Sequence, residues 1–204
     1  MVRTRPLESK KKTLSYQEAD ELHRVIYHWL YERLEQRYGK EYMLYMDESG
    51  IQSHAFYEYG WAPSGQRCQS VVQGQRGERF NIISAIRASN RQWLCPQIFQ
   101  GTCTRERLED WLHQLGKALA PPTNAPKRYV LILDNASFHK GGNLQKIAHQ
   151  YHIRLVYLPP YSPDLNPIEQ CWATLKHHVK RLLSQGGTIL QALAQLLPIP
   201  VTTL

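Results

Sequence analysis

Three carboxylates next to apolar runs are the residues of this sequence best suited to chemistry. Asp47 ends the run YMLYMD, Asp134 ends the run YVLILD, and Glu169 follows a proline-rich loop on a predicted helix. A charged group at the end of a buried strand is costly unless a counter-charge stabilises it, and a divalent metal ion is one such counter-charge. The pattern predicts that Asp47, Asp134 and Glu169 form one metal site.

The chemistry predicted for this site is metal-dependent phosphoryl transfer. Neighbouring carboxylates repel each other, and one of them binds a proton unless a cation holds both. Mg²⁺, or Mn²⁺ in its place, prefers carboxylate oxygens and retains water, which leaves room for a substrate phosphate. A pair of such ions can activate the attacking oxygen and stabilise the leaving one. Asp47 and Asp134 are expected to bridge two ions, and Glu169 to complete the coordination of one.

Each carboxylate also has an ordinary structural explanation. Asp47 and Asp134 suit turns that follow strands. Glu169 stands third in a helix that would begin with Asn166 as N-cap and a proline at the first helical position, so a capping box explains it without a metal. Glu48 is expected to point away from Asp47 if strand alternation continues. The joint occurrence of the three acids favours the metal site.

Five further residues are predicted to contact DNA, each with an alternative. Asn135 either supports the neighbouring aspartate or contacts substrate, and His139 either approaches the metals or a phosphate, or forms local hydrogen bonds. Lys176 lies two helical turns after the glutamate and is either a phosphate contact or a solvated side chain. Arg76 and Arg79 belong to a predicted hairpin turn that could meet a phosphate backbone.

The elements that position these residues alternate in a recognisable order. A helix is predicted from the capping box at Ser15–Glu18 to Gly39, with an apolar face formed by Leu22, Val25, Ile26, Trp29, Leu30 and Leu34. Extended segments follow at residues 42–47, 54–62, 67–73, 80–86 and 93–101, and then a helix that Thr104 caps. A strand, a helix, a strand and a helix follow from residue 129 to about residue 183, and one short helix is expected in the final segment ILQALAQLLPIPVTTL before its prolines. The order predicts an α/β fold whose mixed sheet of about five strands is flanked by helices.

Composition indicates which kind of partner the protein binds and in which cellular compartment it is expected. The chain has 204 residues, enough for one substantial core, and 25 Lys and Arg against 17 Asp and Glu give a formal charge of +8, which suits a polyanion. The four cysteines show no metal-ligand spacing and are expected to be reduced. No apolar run is long enough to cross a membrane, so a cytoplasmic protein without a membrane partner is expected.

The segments MDESG, LDNASFHK and LPPYSPDLNPIEQCWATLK are similar to the catalytic signatures of DDE-type transposases of the mariner superfamily, in particular its bacterial insertion-sequence branch. Thirty-four residues separate Asp134 from Glu169, a spacing that resembles that branch. The resemblance covers residues 40–182 and implies that Asp47, Asp134 and Glu169 are the family's metal-binding triad. It also implies a ribonuclease-H-like fold and cut-and-paste transposition, with DNA recombination and integration.

The same resemblance implies partners. These are double-stranded DNA at the element ends and at a TA target, and a second copy of the chain in a synaptic complex. Members usually carry an N-terminal helix-turn-helix region, whereas here only 46 residues precede Asp47. The expected organisation is a basic tail and linker helix over 1–40, a catalytic domain over 41–185 and a short tail over 186–204, with the DNA-recognition region separate or fused.

Two other functions compete with transposition. One is a ribonuclease-H-like nuclease that hydrolyses DNA without joining it. The other is a degenerate copy that binds DNA or a partner subunit without catalysis. A glycosidase with two carboxylates explains neither the third acid nor the basic charge balance.

Overall fold

A mixed β-sheet with helices on both faces forms the centre of the structure. The computed structural model describes residues 20–52, 62–67, 77–119, 128–136, 139 and 141–198. The described strands are β1 (Met43–Gln52), β2 (Arg79–Arg87), β3 (Trp93–Phe99), β4 (Tyr129–Leu133) and β5 (Ile153–Tyr157). The described helices are α1 (Glu21–Tyr38), α2 (Arg105–Leu119), α3 (Leu144–Gln150), α4 (Ile168–Ser184) and α5 (Ile189–Leu196). The predicted α/β class with about five strands is confirmed.

The strands lie in the order β3-β2-β1-β4-β5. β1, β2 and β3 pair in antiparallel fashion, whereas β4 is parallel to β1 and β5 is parallel to β4. The parallel pair β4 and β5 is joined through α3, since parallel neighbours need a crossover connection. The strands predicted at 54–62 and 67–73 fall almost wholly outside the described residues.

Alternation along β1 assigns its side chains to two different cores. Met43 and Tyr45 pack with α1, α4 and α5, on the side called here the α4 face. Leu44 and Met46 pack with α2 and α3, on the side called the α2 face. Because successive strand residues point to opposite faces, the next residue, Asp47, belongs to the α4 face.

The last two helices were located correctly from sequence. α4 buries a stripe at helical spacing, formed by Ile168, Trp172, Leu175 and Val179. α5 begins with a capping box between Thr188 and Gln191 and ends before Pro198. No described helix has the length and apolar character that a membrane crossing requires.

The N-terminal helix differs from its prediction at its start. α1 has Asp20 as N-cap, whose side chain accepts a hydrogen bond of 2.9 Å from the Leu22 N–H. The capping box predicted at Ser15–Glu18 lies outside the described residues. A short Asx-type cap at Asp20 therefore opens the described helix.

The apolar face predicted for α1 is also partly wrong. Four of its members are 51–66% exposed, namely Leu22, Val25, Ile26 and Trp29. The stripe that packs on the sheet consists of Tyr27, Leu30, Tyr31 and Leu34. Both sets have helical spacing and overlap in the sequence, so periodicity does not choose between them. Packing against the sheet decides, and Tyr31 stacks on Tyr45 of β1.

A cluster of hydrogen bonds ties α1 to the proline loop that precedes α4. The Arg24 guanidinium donates to both carboxylate oxygens of Asp164, at 3.0 and 2.7 Å, and to the Ser162 hydroxyl at 3.0 Å. A bidentate arginine–carboxylate pair restricts geometry more than a single contact does. The loop that delivers α4 is thereby held to the N-terminal helix.

Candidate active site

Two of the three predicted acids belong to neighbouring parallel strands. β1 and β4 pair with Tyr45 opposite Ile132, and the same register carried two residues further brings Asp47 opposite Asp134. Adjacent strands lie about 4.8 Å apart, so equivalent positions are close neighbours. One expectation was wrong: Asp47 does not end its strand, because β1 continues to Gln52. Antiparallel pairing with β2 extends along the whole of β1 and sustains it.

The third acid comes from the first turn of α4. Glu169 lies one turn before Trp172, whose indole N–H donates to Asp47 Oδ2 at 3.2 Å. Trp172 is buried in the core, and its indole N–H also fixes the Asp47 carboxylate. The helix that carries Glu169 is thus attached directly to the strand that carries Asp47.

The capping explanation of Glu169 does not hold in the structure. α4 begins at Ile168, Pro167 occupies the N-cap position, and no side chain caps the helix. Asn166, the predicted N-cap, ends a preceding short 3-10 helix (Pro163–Leu165) instead. The proline loop closes into that 3-10 turn and delays the start of α4 by one residue. The carboxylate of Glu169 therefore has no capping role that accounts for it.

All three acids line one cavity of about 540 Å³. The wall also includes Asn135, Asn166 and the proline loop. Among the residues that the structure describes, no group of three His, Cys, Asp or Glu side chains has the arrangement needed to coordinate a metal ion. Carboxylates without a counter-charge repel one another, and hydrogen bonds from neighbouring groups hold two of these three.

The electrostatic environment of Asp47 is that of an acid without a counter-ion. Burial, and next the negative charge of Glu169, raise the pKa of Asp47 to about 8, and the charges of Glu48 and Asp134 add to the shift. Loss of hydration disfavours the charged form, and nearby like charges disfavour it further. Asp47 is therefore a carboxylate that a cation would stabilise strongly.

Asp134 behaves in the opposite way because a histidine compensates it. Burial alone would raise the pKa of Asp134, but a hydrogen bond and the charge from His139, with the Ala136 N–H at 3.1 Å, lower it. His139 Nδ1 contacts Asp134 Oδ1, and His139 Nε2 lies 3.1 Å from Glu48 Oε1. Burial opposes protonation of His139, yet the two carboxylates raise its pKa to about 10.

This carboxylate–histidine–carboxylate link corrects the prediction of a DNA contact for His139. The His139 side chain has 0% exposed surface and forms hydrogen bonds within the protein. Its contact with Asp134 is the local bond of the alternative interpretation, whereas its contact with Glu48 is not local. The Tyr157 hydroxyl further donates to the His139 carbonyl at 2.8 Å. Glu48 points to the α2 face, away from Asp47, as predicted. Its carboxylate accepts the hydrogen bond from His139 Nε2 on that face. Sequence reasoning missed the pairing of Glu48 with His139, because the two are 91 residues apart.

Removing the histidine is expected to destabilise the fold and the site together. His139→Ala leaves Glu48 and Asp134 without their counter-charge, and we expect a loss of about 3 kcal/mol, the low end for a buried pair, because Asp134 is 49% exposed. The histidine pKa is raised from 6.5 to about 10, so this stabilisation is complete below pH 6.5 and disappears as the pH rises through 10. Urea unfolding at pH 7 and pH 10 measures it. An equal difference between wild type and variant at both pH values would contradict this assignment.

The remaining predicted contact residues lie on more open surfaces. Arg79 and Lys176 line a second cavity of about 460 Å³, together with Lys180. Asn135 lines the cavity of the three acids and is half-buried. Arg76 lies outside the described residues.

Known proteins resemble this chain over part of their length. A protein designated y4pE/y4sA of Sinorhizobium fredii is 32% identical over 41% of this chain and 61% of its own length. The insertion element IS630 39 kDa protein of Shigella sonnei is 26% identical over 68% of this chain and 39% of its own length. The transposase of transposable element Tcb1 of Caenorhabditis briggsae is 31% identical over 47% of this chain and 34% of its own length. The matches thus span between about a third and three fifths of these relatives.

Solved structures of one transposase share the fold. The mariner Mos1 paired end complex with Mg is 17% identical, with a TM-score of 0.68, over 84% of this chain and 53% of that chain. The Mos1 catalytic domain with raltegravir and Mg is 16% identical, with a TM-score of 0.63, over 90% of this chain and 83% of that chain. These matches confirm the predicted ribonuclease-H-like fold.

The family assignment rests on a longer match. The family model described as "DDE superfamily endonuclease" matches residues 42–186, which include Asp47, Asp134 and Glu169. This segment is well over half of the chain and contains every strand described above. With the homology to IS630 and Tc1/mariner-type proteins, it shows that the chain belongs to the DDE superfamily endonuclease family.

Proposed function

We propose that this chain is the catalytic domain of a DNA transposase, which cleaves phosphodiester bonds at transposon ends and joins the 3′-hydroxyl to target DNA. The observation that carries the proposal is the convergence of Asp47, Asp134 and Glu169 on one cavity from three separate elements. Relatives that are named as transposases or as insertion-element proteins support it.

The donor set fits a hard divalent cation. Asp47 is half-buried among like charges, and oxygen ligands of this kind suit Mg²⁺ and Mn²⁺. Solved Mos1 complexes contain Mg and Mn, which supports the same ions here. When bound, two such ions would activate the attacking oxygen and stabilise the leaving one. Asp47, Asp134 and Glu169 would hold them.

The protein's own contribution is to fix the three acids. Trp172 holds the Asp47 carboxylate, and His139 with the Ala136 N–H holds that of Asp134. Groups that are oriented before substrate binds need no reorganisation during the reaction. Glu169 is positioned by the start of α4, which the loop contact with Arg24 anchors.

A cleavage and joining assay tests this function. Labelled DNA with an element end is incubated with Mg²⁺ or Mn²⁺ and either wild-type protein or Asp134→Asn. We expect metal-dependent cleavage by wild type alone, and joining of a pre-cut end that exposes a 3′-hydroxyl. Cleavage without joining would favour a nuclease. Binding that weakens with salt, with no cleavage in either metal, would favour a non-catalytic remnant.

The second cavity is proposed as part of the DNA path. Arg79, Lys176 and Lys180 present three cations around it, and cations of this kind contact phosphates whatever the base sequence. Together with the net charge of +8, they favour a polyanionic ligand on this side of β1.

Lys176→Ala is expected to weaken DNA binding uniformly across sequences and to lower the slope of log affinity against log salt by about 1, as loss of one phosphate contact does. Fluorescence anisotropy between low and moderate salt measures the slope. Lys117→Ala is a matched control, because this exposed lysine lies at the end of α2 and lines neither cavity. Equal slopes in the two variants would exclude Lys176 from the interface.

The assembly around the domain is also proposed. Complexes of Mos1 with transposon ends support double-stranded DNA as the ligand. A homodimer, a TA target and a separate or fused helix-turn-helix region follow from the family resemblance. The division into 1–40, 41–185 and 186–204 is proposed from the sequence. Size-exclusion chromatography with light scattering, with and without end DNA, tests the dimer.

A further inference from the structure

The cavity of the three acids contains one buried polar atom without a hydrogen bond. Asn166 is only 4% exposed, and its side-chain oxygen Oδ1 has no hydrogen-bond partner among the described residues. The residue lines the same cavity as Asp47, Asp134 and Glu169. A buried acceptor without a partner costs free energy, so such atoms are rare and call for an explanation.

Local structure does not supply that explanation. The Asn166 backbone is fully used, since its N–H donates to the Pro163 carbonyl at 2.9 Å and its carbonyl accepts from the Glu169 N–H at 3.1 Å. The side chain does not cap α4, although asparagine at this place commonly would. The Asn166 side-chain oxygen therefore occupies a buried position in the cavity wall without a hydrogen bond to any described residue.

Resting on the proposed function, we infer that Asn166 Oδ1 supplies a neutral oxygen to the divalent cation held by Asp47, Asp134 and Glu169. Amide carbonyl oxygens are hard ligands of the kind that such cations accept beside carboxylates. A neutral donor adds coordination without increasing the repulsion among three acids in one cavity. Asn166 also lies on the proline loop, only three residues before Glu169, so the end of the loop and the first turn of α4 would deliver two donors together.

The test measures binding of Mn²⁺ to the full chain without DNA, by electron paramagnetic resonance of the free ion, and unfolding midpoints with and without metal. Asn166→Ala is expected to weaken Mn²⁺ binding about tenfold to a hundredfold, as loss of a group that supports a metal site does. Its midpoint without metal should be equal to or above that of wild type, because the variant removes an unsatisfied acceptor. Asn166→Asp, which retains the oxygen, should restore binding.

Two control variants distinguish failure of the proposed metal site from failure of the role of Asn166 alone. Asn90→Ala removes an amide whose Oδ1 accepts from the Gln92 N–H at 3.1 Å, away from the cavity, and should leave Mn²⁺ binding unchanged. Asp134→Asn should lose binding. If it does not, the metal site of the proposed function fails. If Asp134→Asn loses binding while Asn166→Ala keeps it, only the role of Asn166 is overturned. Should the alanine variant not fold, Asn166→Ser provides the same comparison.

Discussion

Replacing Asp47 by asparagine is expected to abolish metal-dependent DNA cleavage and, at the same time, to stabilise the metal-free protein. Activity should fall on the order of a thousandfold or more, because metal ions contribute several kcal/mol to transition-state stabilisation. The fold should persist, since an asparagine oxygen can still accept the Trp172 N–H. A gain in stability together with loss of function is the result expected when an active-site charge destabilises the metal-free fold.

The stability gain of Asp47→Asn should depend on pH. The pKa of Asp47 is about 8 in the folded state against a reference of 3.8, so the folded protein retains a proton that the unfolded chain has released. Metal-free wild type therefore loses stability as the pH rises from about 4 to about 8, and the loss is complete above pH 8. At pH 8.5 we expect the variant to be more stable than wild type by a few kcal/mol. The upper limit is on the order of 1.4 kcal/mol for each pKa unit by which the folded and unfolded states differ.

Urea unfolding with a chelator, at pH 5 and pH 8.5, measures this difference. Asp110→Asn is the matched control, because it removes the same charge from an exposed position on α2, outside the cavity. Adding Mg²⁺ should reduce the advantage of Asp47→Asn, since a bound ion stabilises the wild-type carboxylate. If Asp47→Asn is no more stable than wild type at pH 8.5, the carboxylate is not held among like charges.

The second large effect is expected for Glu169→Gln. Stability should remain within about 1 kcal/mol, because Glu169 is exposed and makes no capping bond that the change would remove. Cleavage should fall by a factor comparable to that of Asp47→Asn, because glutamine keeps the shape but removes the charge that holds a cation. Circular dichroism, urea unfolding and the cleavage assay measure both properties on one preparation.

Glu106→Gln provides the matched control for that variant. Glu106 occupies the first turn of α2 as Glu169 occupies that of α4, but it lies outside the cavity. Any general effect of a first-turn charge on its helix would appear in both variants. A folded Glu169→Gln protein with full cleavage would remove Glu169 from the site and leave only the two aspartates.

Much of this architecture follows from patterns that are local in sequence. Continuous apolar runs predict β1 and β4, helical spacing predicts α4, and the order of elements predicts a mixed sheet. The side-by-side position of Asp47 and Asp134 follows once their strands are parallel neighbours, as they are. The family was predicted from the resemblance of the three segments around these acids to the catalytic signatures of known transposases.

Other features depend on contacts between distant segments. The sequence offers two overlapping stripes on α1, and only packing on the sheet selects the one that contains Tyr27. The pairing of His139 with Glu48 and Asp134 requires β1 and the loop after β4 to meet, and no local pattern encodes that meeting. Likewise, the 3-10 turn that displaces Asn166 from its capping position depends on how the proline loop is held. Local propensity thus determined which elements form, whereas burial and charge compensation across the sheet decided what each side chain near the site does.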